Sequence, residues 1–566
     1  MIKRLKIILF LLSLFPLQFL AQNVDTDDFL RDVVRQYGQA RITIPFTDTE
    51  QLKDLSRTLS VSSVKNKKVE IVLSPLTVEL FISQKFNYEL AEPHSGKSVE
   101  TSANAGHAME WESYPSYTQY DSIMQSFPTL YPSLCTIDTI GTSINGRLIL
   151  VLKISDNVSV DEDEPETFYT SSIHGDETAG FILMLRLADY ILKNYDSSAR
   201  IRNLVDNLEI WINPLANPDG TYRTGNTITS PVRFNAAGYD LNRNFPDPET
   251  PNTVKQKETL SMVEFLREHR FSLSANFHSG AEVVNYPWDS RWWLHADDEW
   301  FYDISRKYAD TVHLYSPAGY MTFMDNGVTN GYEWYSINGG RQDFVTYELQ
   351  GREVTIELHN KYVTPESQLN SIWQYNYRSF LGYLENALYG IHGYIRDKES
   401  GNPVPARIFI EGHDKDSSHI YSDTLTGRFT RMLSPGEYDL QIKAKGYVDV
   451  EIDDVIVYED QVTNLDVEMV PFVNPVDTTD TPGLIIYPDP AENNFTLVLP
   501  ARQFGKVNIM IFNSMGVKMT EFTEDAVEDN PLSVDISGLE GGIYILQVRN
   551  KSSKVTDRAR FVVVRK

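Results

Sequence analysis

Residues 171–180 read SSIHGDETAG, an apolar-to-polar strand ending that carries His174 and Glu177 three positions apart around a glycine. A catalytic zinc takes three protein ligands of this type and leaves one position for water, whose pKa it lowers to about 7. HGDE offers two of the three, and Gly175 eases a tight turn from strand to helix. The same H-x-x-E spacing recurs in HAME, His107 to Glu110, so spacing alone does not choose between them. A third ligand must come from elsewhere. Among eleven histidines the best candidate is His278 in SANFHSGAEVVNYPWD, which ends a second strand parallel to the first. Read singly, such a histidine is more often structural; paired with HGDE, the metal reading is the stronger one.

The elements that must hold these residues are legible as alternating patterns. LILVLKIS, TFYTSSI, LEIWIN and FSLSANFH read as strands, and AGFILMLRLADYIL and KQKETLSMVEFLREHR as helices between them. That alternation predicts one α/β domain with a mostly parallel or mixed sheet. In such sheets function collects at the carboxyl ends of strands, where His174 and His278 both stand. HAME lies instead in the segment 92–113, whose polar, Gly/Ser/Ala-rich composition is that of a linker and would not fix two ligands. Upstream of it, residues 41–90 read strand, helix, strand, helix, a small unit. After Tyr389 only short strands and turns follow. They predict a β-sandwich of roughly 80 residues, a Pro/Asp/Thr linker, and a second all-β unit reaching the end of the chain.

Whole-chain properties narrow the function classes. A length of 566 residues suits three to four domains, and the formal charge of −27 disfavours nucleic acid as a partner. Lys3, Arg4 and Lys6 precede an apolar run and Ala21-Gln22, the signature of a secretory signal peptide over residues 1–21. No other apolar run is long enough for a membrane span once that peptide is cleaved. The single cysteine, Cys135, permits no intrachain disulfide and reads as a core residue.

Ordered motifs then give a resemblance. GTSINGRLILVLKIS, HGDE, NPLANPDG, RFNAAGYDLNRNFPDP, NFHSGAEVVNYPWD, NGYEWYSINGGRQDF and EVTIEL resemble, in that order, the zinc metallocarboxypeptidases, and among them the carboxypeptidase N/E/D subgroup. The resemblance implies the metallocarboxypeptidase fold, a mixed sheet of eight-stranded type flanked by helices, over residues 111–388. It implies one zinc on His174, Glu177 and His278, with Glu357 as general base for the zinc-bound water. Alternation along EVTIEL puts Val354, Ile356 and Leu358 on one face and Glu353, Thr355 and Glu357 on the other, free to reach a cleft. The resemblance also implies Arg233 at the scissile carbonyl, and Asn242 and Arg243 on the substrate's terminal carboxylate. Tyr335 becomes a mobile cap, and Asp289 and Gln342 line a pocket for C-terminal Lys or Arg. Arg341 would oppose that preference if it pointed inward, and Glu282 is a further nearby variation. Asp176 stands where the subgroup often has asparagine.

The flanking segments resemble companions of this domain: a propeptide with its linker over 22–110, a transthyretin-like module over 389–471, and, beyond the linker 472–482, a type IX secretion sorting domain over 483–566. These imply export through the periplasm to the medium or outer surface, with peptide or protein C-termini, the type IX machinery and a processing protease as partners. Competing readings are a zinc amidohydrolase or deacylase of the same architecture and an inactive surface-binding relative.

Overall fold

The computed structural model describes residues 26–46, 48–91, 98–248, 254–471, 483–514, 516–527 and 530–565. The expected signal peptide, the linker 472–482 and the start of the 92–113 segment lie outside them.

Residues 26–91 form an antiparallel sheet in the order Ser60–Lys65, Lys68–Leu73, Ala40–Pro45, Glu89–Leu90. Helices Thr26–Tyr37, Thr49–Thr58 and Val78–Ser83 accompany it, and the side chain of Asp48 caps the second by accepting from the amide of Gln51. Alternating apolar positions close a core of Ile42, Ile44, Val61, Val69, Ile71 and Leu73. Helix Thr26–Tyr37 and strand Ser60–Lys65 go beyond the four elements expected. SVSSVK carries too few apolar residues to register as a strand until it pairs with Lys68–Leu73.

The central sheet has eight strands in the order Val328–Asn330, Glu282–Tyr286, Arg352–Leu358, Leu273–His278, Glu166–Ser171, Glu209–Asn213, Leu148–Ile154, Cys135–Thr142. It is mixed. The strands from Arg352–Leu358 to Glu209–Asn213 run parallel, while Glu282–Tyr286, Leu148–Ile154 and Cys135–Thr142 enter antiparallel connections. The middle strands are buried on both faces, which is why they read as almost continuous apolar runs. Helix Ala179–Asn194 buries most of its circumference and helix Glu366–Glu385 packs beside it, covering one face. This is the metallocarboxypeptidase fold.

One expectation fails here. From Ser98 the supposed linker is part of the catalytic body: Val99, Ala108, Trp111 and Tyr114 enter its core, and the Trp111 indole donates to Asp189 at 3.2 Å. A few large anchors outweigh the polar composition. HAME accordingly runs off the end of the short helix Ala105–Ala108, with His107 and Glu110 paired at 2.9 Å on an exposed surface.

Residues 390–469 form a two-sheet sandwich around Ile395, Ile408, Phe429, Leu440 and Ile442. A buried ionic cluster joins it to the catalytic body. Arg431 of the sandwich donates twice to Asp297, both bonds 2.8 Å, and once to Asp414 at 2.7 Å, while Arg352 of the central sheet reaches Asp297 at 2.7 Å. The chain divides into two compact units at residue 471. The second is a three-stranded and a four-stranded sheet closed on Phe495, Leu497, Ile509, Leu546 and Phe561.

Candidate metal centre and substrate cleft

His174 and His278 leave the carboxyl ends of the parallel strands Glu166–Ser171 and Leu273–His278, which are direct neighbours in the sheet. Glu177 returns from the turn ahead of helix Ala179–Asn194. All three are buried. The His174 Nδ1 atom lies 2.8 Å from Glu177 Oε1, and His278 Nδ1 lies 2.7 Å from Glu177 Oε2. Gly175 is required for a reason other than a turn. A Cβ there would lie 2.3 Å from the carbonyl carbon of Gly220, so the backbone approach itself excludes a side chain.

The far side of each imidazole is also held. His174 Nε2 faces Asp240 Oδ1 at 3.0 Å, and His278 Nε2 faces the Asn276 amide at 2.8 Å. Asn276 Oδ1 is buried without a partner. Turning that amide over gives Oδ1 the Nε2–H to accept and leaves the Nδ1 lone pair facing inward. With Asp240 doing the same for His174, two nitrogen lone pairs and a carboxylate converge within 4.8 Å. That donor set, each imidazole anchored through its other nitrogen, fits a divalent metal such as zinc.

Asp240 and Asn276 were not singled out from sequence. For Asn276 a signal existed: it stands two residues before His278, hence on the same strand face. Asp240 had none beyond its place in YDLNR.

Electrostatics follow from packing. Burial pushes the Glu177 carboxyl up, but the two imidazoles outweigh it and hold it well below the usual range. At His174 burial and Arg233 act downward, yet Glu177 and Asp240 together leave it raised. His278 has Glu177 alone against burial, His174 and Arg233, and ends lowered. Glu357 is pushed well above the carboxylate range by burial and by Glu177. It ends strand Arg352–Leu358 beside His278, with Oε2 buried and unpartnered. The alternation in EVTIEL holds, but the second face is covered too: Thr355 and Glu357 line the cleft, and Glu353 is buried under it.

Arg233 bridges Asp240 Oδ2 at 2.9 Å and Glu177 Oε1 at 3.3 Å. Asn242, Arg243, Asp289 and Tyr335 line the same cleft as the His/Glu triplet. Asn242 is oriented by the Arg341 amide, which donates to its Oδ1 at 2.9 Å. In the same cleft Asp289 accepts from Asn285 at 2.9 Å and from Gln342 at 3.0 Å. Burial and the neighbouring Asp343 push its carboxyl up to about 8. The Arg341 side chain turns away, donating to Glu353 at 2.8 Å and lying over Phe168. Glu282 is occupied elsewhere, accepting from the amides of Met321 and Asn360.

The N-terminal unit covers this cleft. Arg243 donates to the carbonyl of Val61 at 3.0 Å, and Tyr335 and Ile337 pack into the unit's apolar core. Arg41 donates to Asp176 at 2.7 Å, and Gln39 both donates to Asp176 at 3.0 Å and accepts from the Arg233 amide at 2.8 Å.

Residues 120–379 match the zinc carboxypeptidase family, 390–470 the carboxypeptidase regulatory-like domain, and 485–563 the secretion system C-terminal sorting domain. Human carboxypeptidase D is 32% identical over 348 residues, 58% of this chain and 25% of its own length. The chain thus spans about a quarter of that relative. Mouse carboxypeptidase M is 33% identical over 58% of this chain and 77% of its own, and mouse carboxypeptidase N catalytic chain 30% identical over 58% and 80%. No helix among the described residues is long and apolar enough to cross a membrane. With two relatives aligned over most of their length and the motif residues gathered round one buried triplet, the chain belongs to the zinc carboxypeptidase family.

Proposed function

We propose that the protein is an exported zinc-dependent carboxypeptidase that removes C-terminal Lys or Arg and is kept latent by its N-terminal unit. The observation that carries this is that one cleft gathers Asp289, Asn242, Arg243, Arg233 and Glu357 around the triplet.

His174, Glu177 and His278 would hold the zinc ion, which supplies a Lewis acid and acidifies water. The chain's own groups do the rest. Arg243 and Asn242 fix the terminal carboxylate, for which a planar guanidinium suits best. Arg233, pinned by Asp240, holds the carbonyl oxygen as it gains charge. Glu357 takes the proton of the attacking water and returns it to the departing amine, and its raised affinity for protons suits the second half of that task. Tyr335 closes over the bound residue. Asp289 attracts a basic side chain, and Arg341, tied to Glu353, does not oppose it.

Latency follows from Val61 on Arg243 and from Tyr335 and Ile337 drawn into the N-terminal core. A protease acting between residues 91 and 98 would release it. Export rests on the charged and apolar start of the chain and on the sorting domain, through the periplasm to the surface or medium.

Incubating the protein with a mixed peptide pool and reading masses, with and without a chelator, tests the whole reading. Single-residue loss of Lys or Arg that the chelator abolishes is expected. Faster loss of Phe than of Arg would remove the specificity.

A further inference from the structure

Asp289 is held at both ends by two consecutive residues from another element. Helix Arg341–Glu348 begins beside it, and Gln342 donates to the Asp289 carboxylate at 3.0 Å. Asp343, next in the chain, takes the backbone instead. Its Oδ1 accepts from the Asp289 amide at 3.0 Å, and its Oδ2 accepts from the Ser290 amide at 2.9 Å and the Ser290 hydroxyl at 2.6 Å. Both oxygens thus meet donors, which an asparagine with its single acceptor oxygen cannot reproduce. Asp343 also stands in the first turn of its helix, where a negative charge is favoured.

A second acid therefore sits against the backbone of the first. Burial pushes the Asp289 carboxyl up to about 8, and the Asp343 charge adds to it. At Asp343 burial acts the same way, and the two amides and the hydroxyl act against it. Of the other charged groups around the pair, Arg243 from the turn Leu241–Arg243 acts downward on Asp289, and Arg291 acts downward on Asp343. Glu353 of the central sheet acts upward on Asp289 and is itself paired with Arg341. The Tyr335 hydroxyl, pushed up to about 12 by burial, is uncharged at neutral pH.

We infer that Asp343 is a positioning residue that sets the charge selectivity of the pocket. It fixes the backbone of Asp289 and Ser290 and places a second negative charge against it, so that a cationic C-terminal side chain is favoured over a neutral one of the same shape. This rests on the proposed Lys/Arg reading and deepens it: Asp289 supplies the contact, and Asp343 supplies its pose and the field behind it.

The test compares peptides ending in Arg with peptides ending in citrulline, whose neutral urea has the shape of the guanidinium, on the full chain after limited proteolysis. Both meet the same Arg233, the same Glu357 and the same open population, so the kcat/KM ratio of Arg to citrulline cancels these and reads the pocket. Arginine stays charged throughout. In the parent the ratio should rise as Asp289 ionises, through about pH 8, and then level. In Asp343→Asn it should be flat above about pH 6 and, at about pH 9, about tenfold below the parent, with the loss in KM rather than kcat. A role in folding alone would lower both peptides together. A parent ratio well above one whose size and pH profile Asp343→Asn leaves unchanged overturns this inference while the Lys/Arg reading stands; a parent ratio near one overturns both. Should Asp343→Asn fail to fold, Ser290→Ala, which removes the 2.6 Å donor to Asp343, decides in its place. A lowered ratio at about pH 9 then sustains the inference, and the parent's profile overturns it. If no peptide is shortened at all, the carboxypeptidase reading fails. The same peptides titrated into the proteolysed Glu357→Gln chain, with and without Asp343→Asn, then decide this inference: binding ordered Arg over citrulline and dependent on Asp343 sustains it, and unordered binding overturns it.

Discussion

At Glu357 a single carboxyl group combines burial, a neighbouring Glu177 charge and an unpartnered oxygen beside His278. Glu357→Gln keeps the shape and removes the proton carrier, so hydrolysis should fall by roughly 10²- to 10⁴-fold while zinc content, read by atomic absorption, stays near one per chain. Asp289 allows a prediction of sign. Its folded pKa is raised to about 8, so between the ordinary carboxylate range and that value the empty pocket holds a proton that the ionised pairing with a guanidinium must expel. Binding of an Arg-terminated peptide to Glu357→Gln should release a proton at pH 7 and strengthen toward pH 8. Calorimetry in buffers of different ionisation enthalpy reads this directly, and a pH-independent affinity would contradict it. By the same sign, the stability that proton-bound Asp289 contributes is fully present below its unfolded pKa and lost as pH rises through about 8.

Among the elements, the interface between the central sheet and the sandwich is the one most exposed to a single change. Arg431 and Asp297 are wholly buried and bonded twice, with Arg352 and Asp414 completing the cluster. Arg431→Ala leaves those acids short of one cation, a loss of about 3–5 kcal/mol for a broken buried pair. Thermal unfolding should shift downward as a single transition, because the sandwich and the catalytic body share that cluster. The parallel strands and their helices were legible because apolar periodicity is local, and so were His174 and His278 where strands end, with Glu177 three residues after His174 in the turn. Whether Arg341 faced the pocket was not legible, since the answer depends on Glu353 twelve residues away across the fold. Nor was the folding of 98–113, where Trp111 and Tyr114 find their partners in the catalytic core.

Across the whole molecule, the division at residue 471 separates chemistry from addressing. A chain ending at Pro471 should keep the unfolding temperature of its catalytic body and its peptide hydrolysis after limited proteolysis, yet fail to leave the cell when expressed in a host with the type IX machinery. Full-length protein should show low hydrolysis that rises after a cut between residues 91 and 98, and mass spectrometry of the product identifies the cut.

The packing of Tyr335 and Ile337 into the N-terminal core gives that cut a second effect. Both side chains are about nine-tenths enclosed, and with them Trp334 forms a ring contact to Tyr335 at 5.2 Å. Once their host departs, three apolar side chains on one short loop face water together, and the nearest dry place is the cleft itself when a peptide fills it. On the proposed latency, release of the N-terminal unit gives this loop a driving force for closing on substrate. The surface that would hold the enzyme latent is then the one that would fold over each peptide and reopen to let the product go.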